Sequence, residues 1–283
     1  MARRKKGLKR LRRRLTAVVS VVVTAIVLAQ FISRARELND SEWIEGKENA
    51  KIDALSLLSV RTNPRLKSQE IEYEGFNMSF NPEAHEPNWV AWELTAEETT
   101  GSTPRYNKFS ADPSVEGSAE KWDYNYSGYD RGHMAPAGDM KWSEEAMRQT
   151  FYMTNICPQA KSLNTGAWKR LEEKCRQWAR ADSAIIIICG PVLTDSIKEW
   201  IGDSRVAVPE RFFKVILSPG ANPPRGIGFI MPNGSLPGGI QKAAMSIDDV
   251  EAITGHDFFS ALPDSIENAV ESQNDFHFWS TIK

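Results

Sequence analysis

From Glu70 onward, short apolar segments alternate with polar, glycine and proline punctuation, the pattern of a folded body built largely of strands. Tyr73, Phe76, Met78 and Phe80 alternate with polar residues and Trp89-Val90-Ala91-Trp92-Glu93-Leu94 follows, so the body opens with strands. Residues 151–156 and 184–189 read as buried strands, the second holding four consecutive isoleucines before Gly190-Pro191. Between them Ala167, Trp168, Leu171, Cys175 and Trp178 recur at helical spacing. Asn164 lies near the start of that helix, and Glu172, two turns later, points toward the same side. Residues 212–217 and 226–231 supply further strands around a proline-rich turn at 219–224, and short helices are expected at 243–253 and 264–271. The fold class is mixed α+β, with no internal repeat.

The N-terminal part reads differently. Residues 1–14 hold nine Lys/Arg, and residues 15–33 run nineteen positions without a charge. That length suits a membrane-spanning helix, and the basic flank predicts a cytoplasmic N-terminus with the folded body outside the cytoplasm, periplasmic or extracellular. The alternative is a cleaved signal peptide, with Val27-Leu28-Ala29 before Gln30 as its cleavage site and a secreted product. Residues 34–65 are charged and read as a stalk, which leaves 66–283 as one domain. Without residues 1–14 the chain has 26 basic against 37 acidic side chains, a net charge of −11. A protein of that balance that bound polyanions would have to gather its cations in one groove. Cys157, Cys175 and Cys189 have no paired spacing, so a zinc site is not expected; buried free thiols fit the pattern best, with one disulfide as the alternative. His85, His256 and His277 have neither metal-ligand spacing nor neighbouring cysteines.

One stretch carries chemistry. Asp130-Arg131-Gly132-His133-Met134-Ala135-Pro136-Ala137-Gly138-Asp139 sets an imidazole and a guanidinium two positions apart, on one face of an extended segment. The imidazole titrates near neutrality and can take a proton from water, while the arginine stays cationic and can fork onto phosphate oxygens. With Thr154-Asn155-Ile156-Cys157-Pro158-Gln159 and Asn164-Thr165-Gly166-Ala167-Trp168-Lys169-Arg170-Leu171-Glu172, the chain resembles the DNA/RNA non-specific endonucleases, the ββα-metal (His-Me finger) group of mitochondrial endonuclease G and secreted bacterial nucleases. Residues 208–215 and 254–259 extend the likeness over roughly residues 70–265.

The resemblance implies a ββα-metal domain with a central, mostly antiparallel sheet flanked by helices, hydrolysing phosphodiester bonds of DNA and RNA to leave 5′-phosphate ends. His133 would be the general base and Asn164 the ligand of Mg2+, with Mn2+ able to substitute. Glu172 would orient metal-bound water, and Arg131 would contact phosphate. Arg105, in the loosely matching Pro104-Arg105-Tyr106-Asn107 stretch, would be a further substrate arginine. Asn155 and Asp130 would support the cluster, Asp130 by bracing its loop, since a carboxylate facing phosphate would repel it. Each residue also has a plainer reading: a hydrogen-bonded core histidine for His133, a helix N-cap for Asn164, a solvated helix side chain for Glu172. DNA and RNA are the expected partners, with the membrane through the N-terminal helix; a homodimer is compatible with the sequence. A non-catalytic nucleic-acid-binding protein, or an enzyme for another phosphodiester, would use the same scaffold.

Overall fold

The computed structural model describes residues 54–194 and 196–281. The expected basic segment (1–14), anchor or signal segment (15–33) and most of the stalk lie outside them. Among the described residues no helix is long and apolar enough to cross a membrane.

The strands are β1 (Gln69–Glu72), β2 (Asn77–Asn81), β3 (Glu86–Thr95), β4 (Asp130–His133), β5 (Ile156–Gln159), β6 (Ala184–Pro191), β7 (Trp200–Ile201), β8 (Val206–Ala207), β9 (Arg211–Ser218), β10 (Arg225–Pro232) and β11 (Ala244–Met245). The α-helices are α1 (Glu144–Gln149), α2 (Lys169–Asp182), α3 (Ile247–Thr254), α4 (Asp264–Glu271) and α5 (Phe276–Ser280). Seven strands form one sheet in the order β1-β2-β3-β6-β9-β10-β11, antiparallel at every pairing. The isoleucine run lies at its centre as β6, between β3 and β9, where both faces of a strand are covered and neither tolerates a polar side chain.

One face of the sheet takes α2. Its buried stripe Leu171, Cys175, Trp178 and Ala179 packs with Trp92, Ile185, Ile187, Phe212, Ile216 and Phe229 in the main core. The other face takes α3 and α4, and β10 makes that approach possible. A Cβ at Gly226 would sit 2.4 Å from the Val270 carbonyl oxygen, and one at Gly228 would sit 2.7 Å from the Ser246 carbonyl oxygen. Ile227 and Phe229, alternating with them, face α2.

Two expectations are corrected. Residues 151–156 are not a strand: Phe151 follows α1, residues 153–155 form a 3-10 turn, and pairing begins at Ile156. The turn forms because Asn155 spends its side chain on backbone, accepting from Ala135 N and donating to the carbonyls of Ala135 and Thr150. Residues 56–65 are not stalk, and the domain begins before residue 66. Leu57, Leu58 and Val60 are buried, Trp89 donates to Thr62 at 2.8 Å, and Asn63 bonds both Thr254 and His256. The short apolar patch around Leu55–Val60 is visible in the sequence, but it is too short to show by itself whether it packs on the domain. Cys157, Cys175 and Cys189 are buried and free, as the plainer reading of the cysteines had it, and no disulfide links them.

Gly226→Ala should destabilise the domain by about 1–3 kcal/mol, because the methyl meets backbone that cannot move aside. Gly234→Ala, where a Cβ meets nothing within 4 Å, is the control. Thermal unfolding of the two variants checks this: an unchanged midpoint for Gly226→Ala would contradict the packing.

Candidate active site

Strand β4 is the sequence Asp130-Arg131-Gly132-His133, paired antiparallel with β5 so that Gly132 faces Cys157 and His133 faces Ile156. Alternation puts Arg131 and His133 on one face. Phe109 marks that face, its ring 5.3 Å from the imidazole and 5.6 Å from the Arg131 guanidinium carbon. On the opposite face a Cβ at position 132 would collide with the Gln159 side chain at 2.3 Å, so the motif needs its glycine for close approach.

Both ends of β4 are tied to the start of the following helix. At one end the Asn164 amide nitrogen donates to Asp130 at 2.9 Å; at the other, the Trp168 indole donates to the His133 carbonyl at 3.3 Å. Asn164 lies in a π-helical turn (Leu163–Trp168) that leads into α2, interrupted by Gly166 in a non-helical conformation. Ser162 and Trp168 hold the cap positions, and the Asn164 side chain caps nothing. With its NH2 group on Asp130, the Asn164 carbonyl oxygen is turned away, half-buried, as an available oxygen ligand of the type hard divalent cations take.

His133 is 9 % exposed, its ring edge-on to Phe151 at 4.9 Å, and its Nε2 has no hydrogen-bond partner. A buried imidazole loses the hydration that stabilises its charged form. Burial, helped by the positive charge of Arg105, pushes its pKa down to about 3. The ring is therefore neutral at physiological pH, and its Nε2 is left without a hydrogen bond.

Arg105 is exposed in sequence context but belongs to this cluster. Its guanidinium stacks over Phe151 at 5.0 Å, its Nε donates to Asn107 at 3.0 Å, and its charge is felt by both His133 and Glu172. Beside it opens a cleft of about 580 Å³ lined by Tyr106, Lys108 and Arg148 and also by Glu144 and Glu145, the latter paired with Arg148. Arg131 is held by the Lys121 carbonyl and by Asn125 at 3.0 Å.

Glu172 is half-buried, not a solvated helix glutamate. Burial pushes its carboxyl up to about 7, against the pull of Lys214, Arg176 and Arg105. The charges behind it escaped the sequence reading. Lys214, 1 % exposed, places its ammonium over Trp168 at 4.4 Å and over Trp92 at 5.1 Å. Asp139 accepts from Arg176 at 2.6 Å and from the Trp92 indole at 3.2 Å. A lysine inside the apolar run Arg211–Ser218 was the available signal, since a buried cation needs a nearby anion or ring face. Asn155 lies beneath the cluster and fastens the loop after His133.

The structure thus gathers Arg131 and Arg105 about the aromatic rings beside His133, ties Asn164 to Asp130 on the same strand, and couples Arg105 to Glu172 by charge, with Asn155 bracing the loop after His133. A neutral base, an oxygen ligand for a cation and two guanidinium groups can activate water and neutralise an anionic oxygen centre.

The family model described as DNA/RNA non-specific endonuclease matches residues 56–265. The chain is 35% identical over 264 residues to the mouse (Mus musculus) protein named Nuclease EXOG, mitochondrial, covering 87% of this chain and 71% of that one. It is 35% identical over 216 residues to the Xenopus laevis protein of the same name, covering 70% of this chain and 60% of that relative. A chain of the crystal structure of the EndoG/EndoGI complex, which addresses EndoG inhibition, superposes with a TM-score of 0.65 at 29% identity, covering 70% of this chain and 88% of that one. Both named relatives are mitochondrial nucleases, which overturns the expectation of a membrane-anchored or secreted domain placed in the periplasm or outside the cell. A basic run before an apolar stretch occurs in several kinds of targeting and anchoring segment, and composition alone did not separate them.

The His133 imidazole should stay neutral at pH 5, a unit and more below where an ordinary histidine gains its proton. Arg105→Ala should move its titration upward by removing the neighbouring positive charge. NMR titration of the ring resonances checks both; protonation near pH 6.5 would show that the ring is hydrated.

Proposed function

The chain belongs to the DNA/RNA non-specific endonuclease family and is an endonuclease acting on phosphodiester bonds; from that premise we propose that it is a magnesium-dependent, sugar-non-specific nuclease in which His133 is the general base and Asn164 holds the metal. The observation that carries the reading is the neutral, partnerless Nε2 of His133 on the same strand as Arg131.

His133 takes the proton from a water that attacks phosphorus in line with the leaving oxygen. Arg131 and Arg105, on either side of the Phe109–Phe151 aromatic floor beneath His133, contact the scissile or neighbouring phosphate. Glu172 orients water beside Asn164 from the same helical unit, with Lys214 and Arg176 offsetting part of the cost of burying its carboxylate. When bound, a divalent cation at Asn164 would supply charge neutralisation at the phosphoryl oxygens and ease departure of the leaving oxygen; with the 3′ oxygen as that leaving group, the products carry 5′-phosphate and 3′-hydroxyl ends. Asp130 acts through Asn164, fixing which amide atom is presented. Contacts made to the phosphate backbone carry no base preference, which fits cleavage of DNA and RNA alike. Arg105 and Lys108, at the edge of the cleft beside His133, offer the strand cationic contacts, while Arg148 is paired with Glu145.

His133→Ala should lower turnover of plasmid DNA and of RNA by about 10²- to 10⁴-fold or more while the unfolding midpoint stays close to wild type. Near-normal turnover by the folded variant would remove the base assignment. Asn164→Ala should lose magnesium-supported cleavage, with Mn2+ restoring part of it because manganese accepts less regular coordination. Initial rates against metal concentration test this, and an unchanged magnesium dependence would assign Asn164 a purely structural role through Asp130.

A further inference from the structure

On the face of the sheet away from α2, helices α3 and α4 bring three carboxylates together. Asp248 and Glu251 are one turn apart on α3, Glu271 ends α4, and one oxygen of each lies within 4.8 Å of those of the other two. Ligand oxygens at about 2.3–2.6 Å from a calcium ion are themselves at most about 5 Å apart, so the spacing is that of atoms sharing one ion. Glu271, whose side chain reaches the cluster, is 6 % exposed, and its Oε1 has no hydrogen-bond partner. A buried carboxylate oxygen without a donor is a group waiting for a proton or a cation.

We propose that Asp248, Glu251 and Glu271 bind one calcium ion that fastens α3 to α4. The donor set decides the class of ion. Three carboxylates with no nitrogen or sulfur donor suit a hard cation and not a transition metal. Calcium takes several carboxylates in irregular geometry, whereas magnesium keeps most of its water and uses one or two. Glu251 gives one oxygen to the Phe258 amide at 2.7 Å and keeps the other for the ion. Asp257 and Glu267 add negative charge nearby, and Arg61, bonded to Asp257 at 3.0 Å, answers one of these charges. The site lies across the sheet from His133 and does not depend on the catalytic reading: Gly226 and Gly228, which let α3 and α4 approach, alternate with the α2-facing Ile227 and Phe229.

The test uses the full chain, stripped of metal, with CaCl2 as the probe against NaCl of equal ionic strength. The unfolding temperature should rise saturably, by roughly 5–10 °C at a hundredfold excess over Kd. Calorimetric titration should count one calcium that is lost in Asp248→Asn and in Glu271→Gln but kept in Asn164→Ala. Asp248 is exposed, so its variant folds even where Glu271→Gln does not, and its magnesium-supported nuclease rate should equal wild type. The proposal is overturned by the absence of a calcium-dependent shift, by a shift that survives Asp248→Asn, or by one abolished in Asn164→Ala, which would assign the calcium to the Asn164 cluster.

Discussion

A four-residue strand held at both ends by one helical unit is the constraint on which the rest of the site depends. Asp130 receives the Asn164 amide and the His133 carbonyl receives the Trp168 indole, so β4 cannot shift relative to the start of α2 without losing both bonds. The first bond also selects which atom Asn164 shows to solvent. Trp168 is in turn wedged against Phe212 at 5.7 Å and lies in the main core, so the geometry of the site is referred back to the central sheet. A side chain that must be placed to within a fraction of an ångström is best borne on elements fixed by core packing.

Desolvation does two opposite things within this small region. It removes the charge from His133, beside which Arg105 and the rings of Phe109 and Phe151 lie, and raises Glu172, which is partly rescued by Lys214 and Arg176. The buried Asp139–Arg176 pair sets the balance behind the helix. Truncating one member would leave an uncompensated charge at a cost of about 3–5 kcal/mol, a large fraction of a domain's total stability. The network therefore constrains α2 mechanically as well as tuning the carboxylate that α2 carries toward the site.

The sheet separates two electrostatic regions of different character. On the α2 side charges are paired or stacked on rings; on the α3–α4 side carboxylates accumulate around Glu271 with a single arginine in reply. Glycines at alternate positions of β10 make the second region possible, because helices that dock directly on backbone bring their own side chains into contact at the seam.

Local pattern was sufficient for much of this protein. The isoleucine run, the 3.6-residue stripe through Leu171, Cys175 and Trp178, and the β9–β10 hairpin each encode their own burial, because periodicity and side-chain apolarity act over a few neighbouring residues. The Asp130-Arg131-Gly132-His133 motif with Asn164 and Glu172 was equally legible, and it pointed to the family. What the sequence could not decide were contacts closed over long separations. Arg105 joins His133 only because Phe151 brings the two loops together, and Lys214 reaches Glu172 only across the sheet–helix interface. Residues 56–65 become part of the domain through Trp89 and, nearly two hundred positions away, Thr254, His256 and Asp257. Asn155 ends one segment and starts β5 by bonding a loop twenty residues earlier. In each case the deciding energy is a hydrogen bond or charge interaction between groups whose proximity is created by folding, and no local periodicity records it.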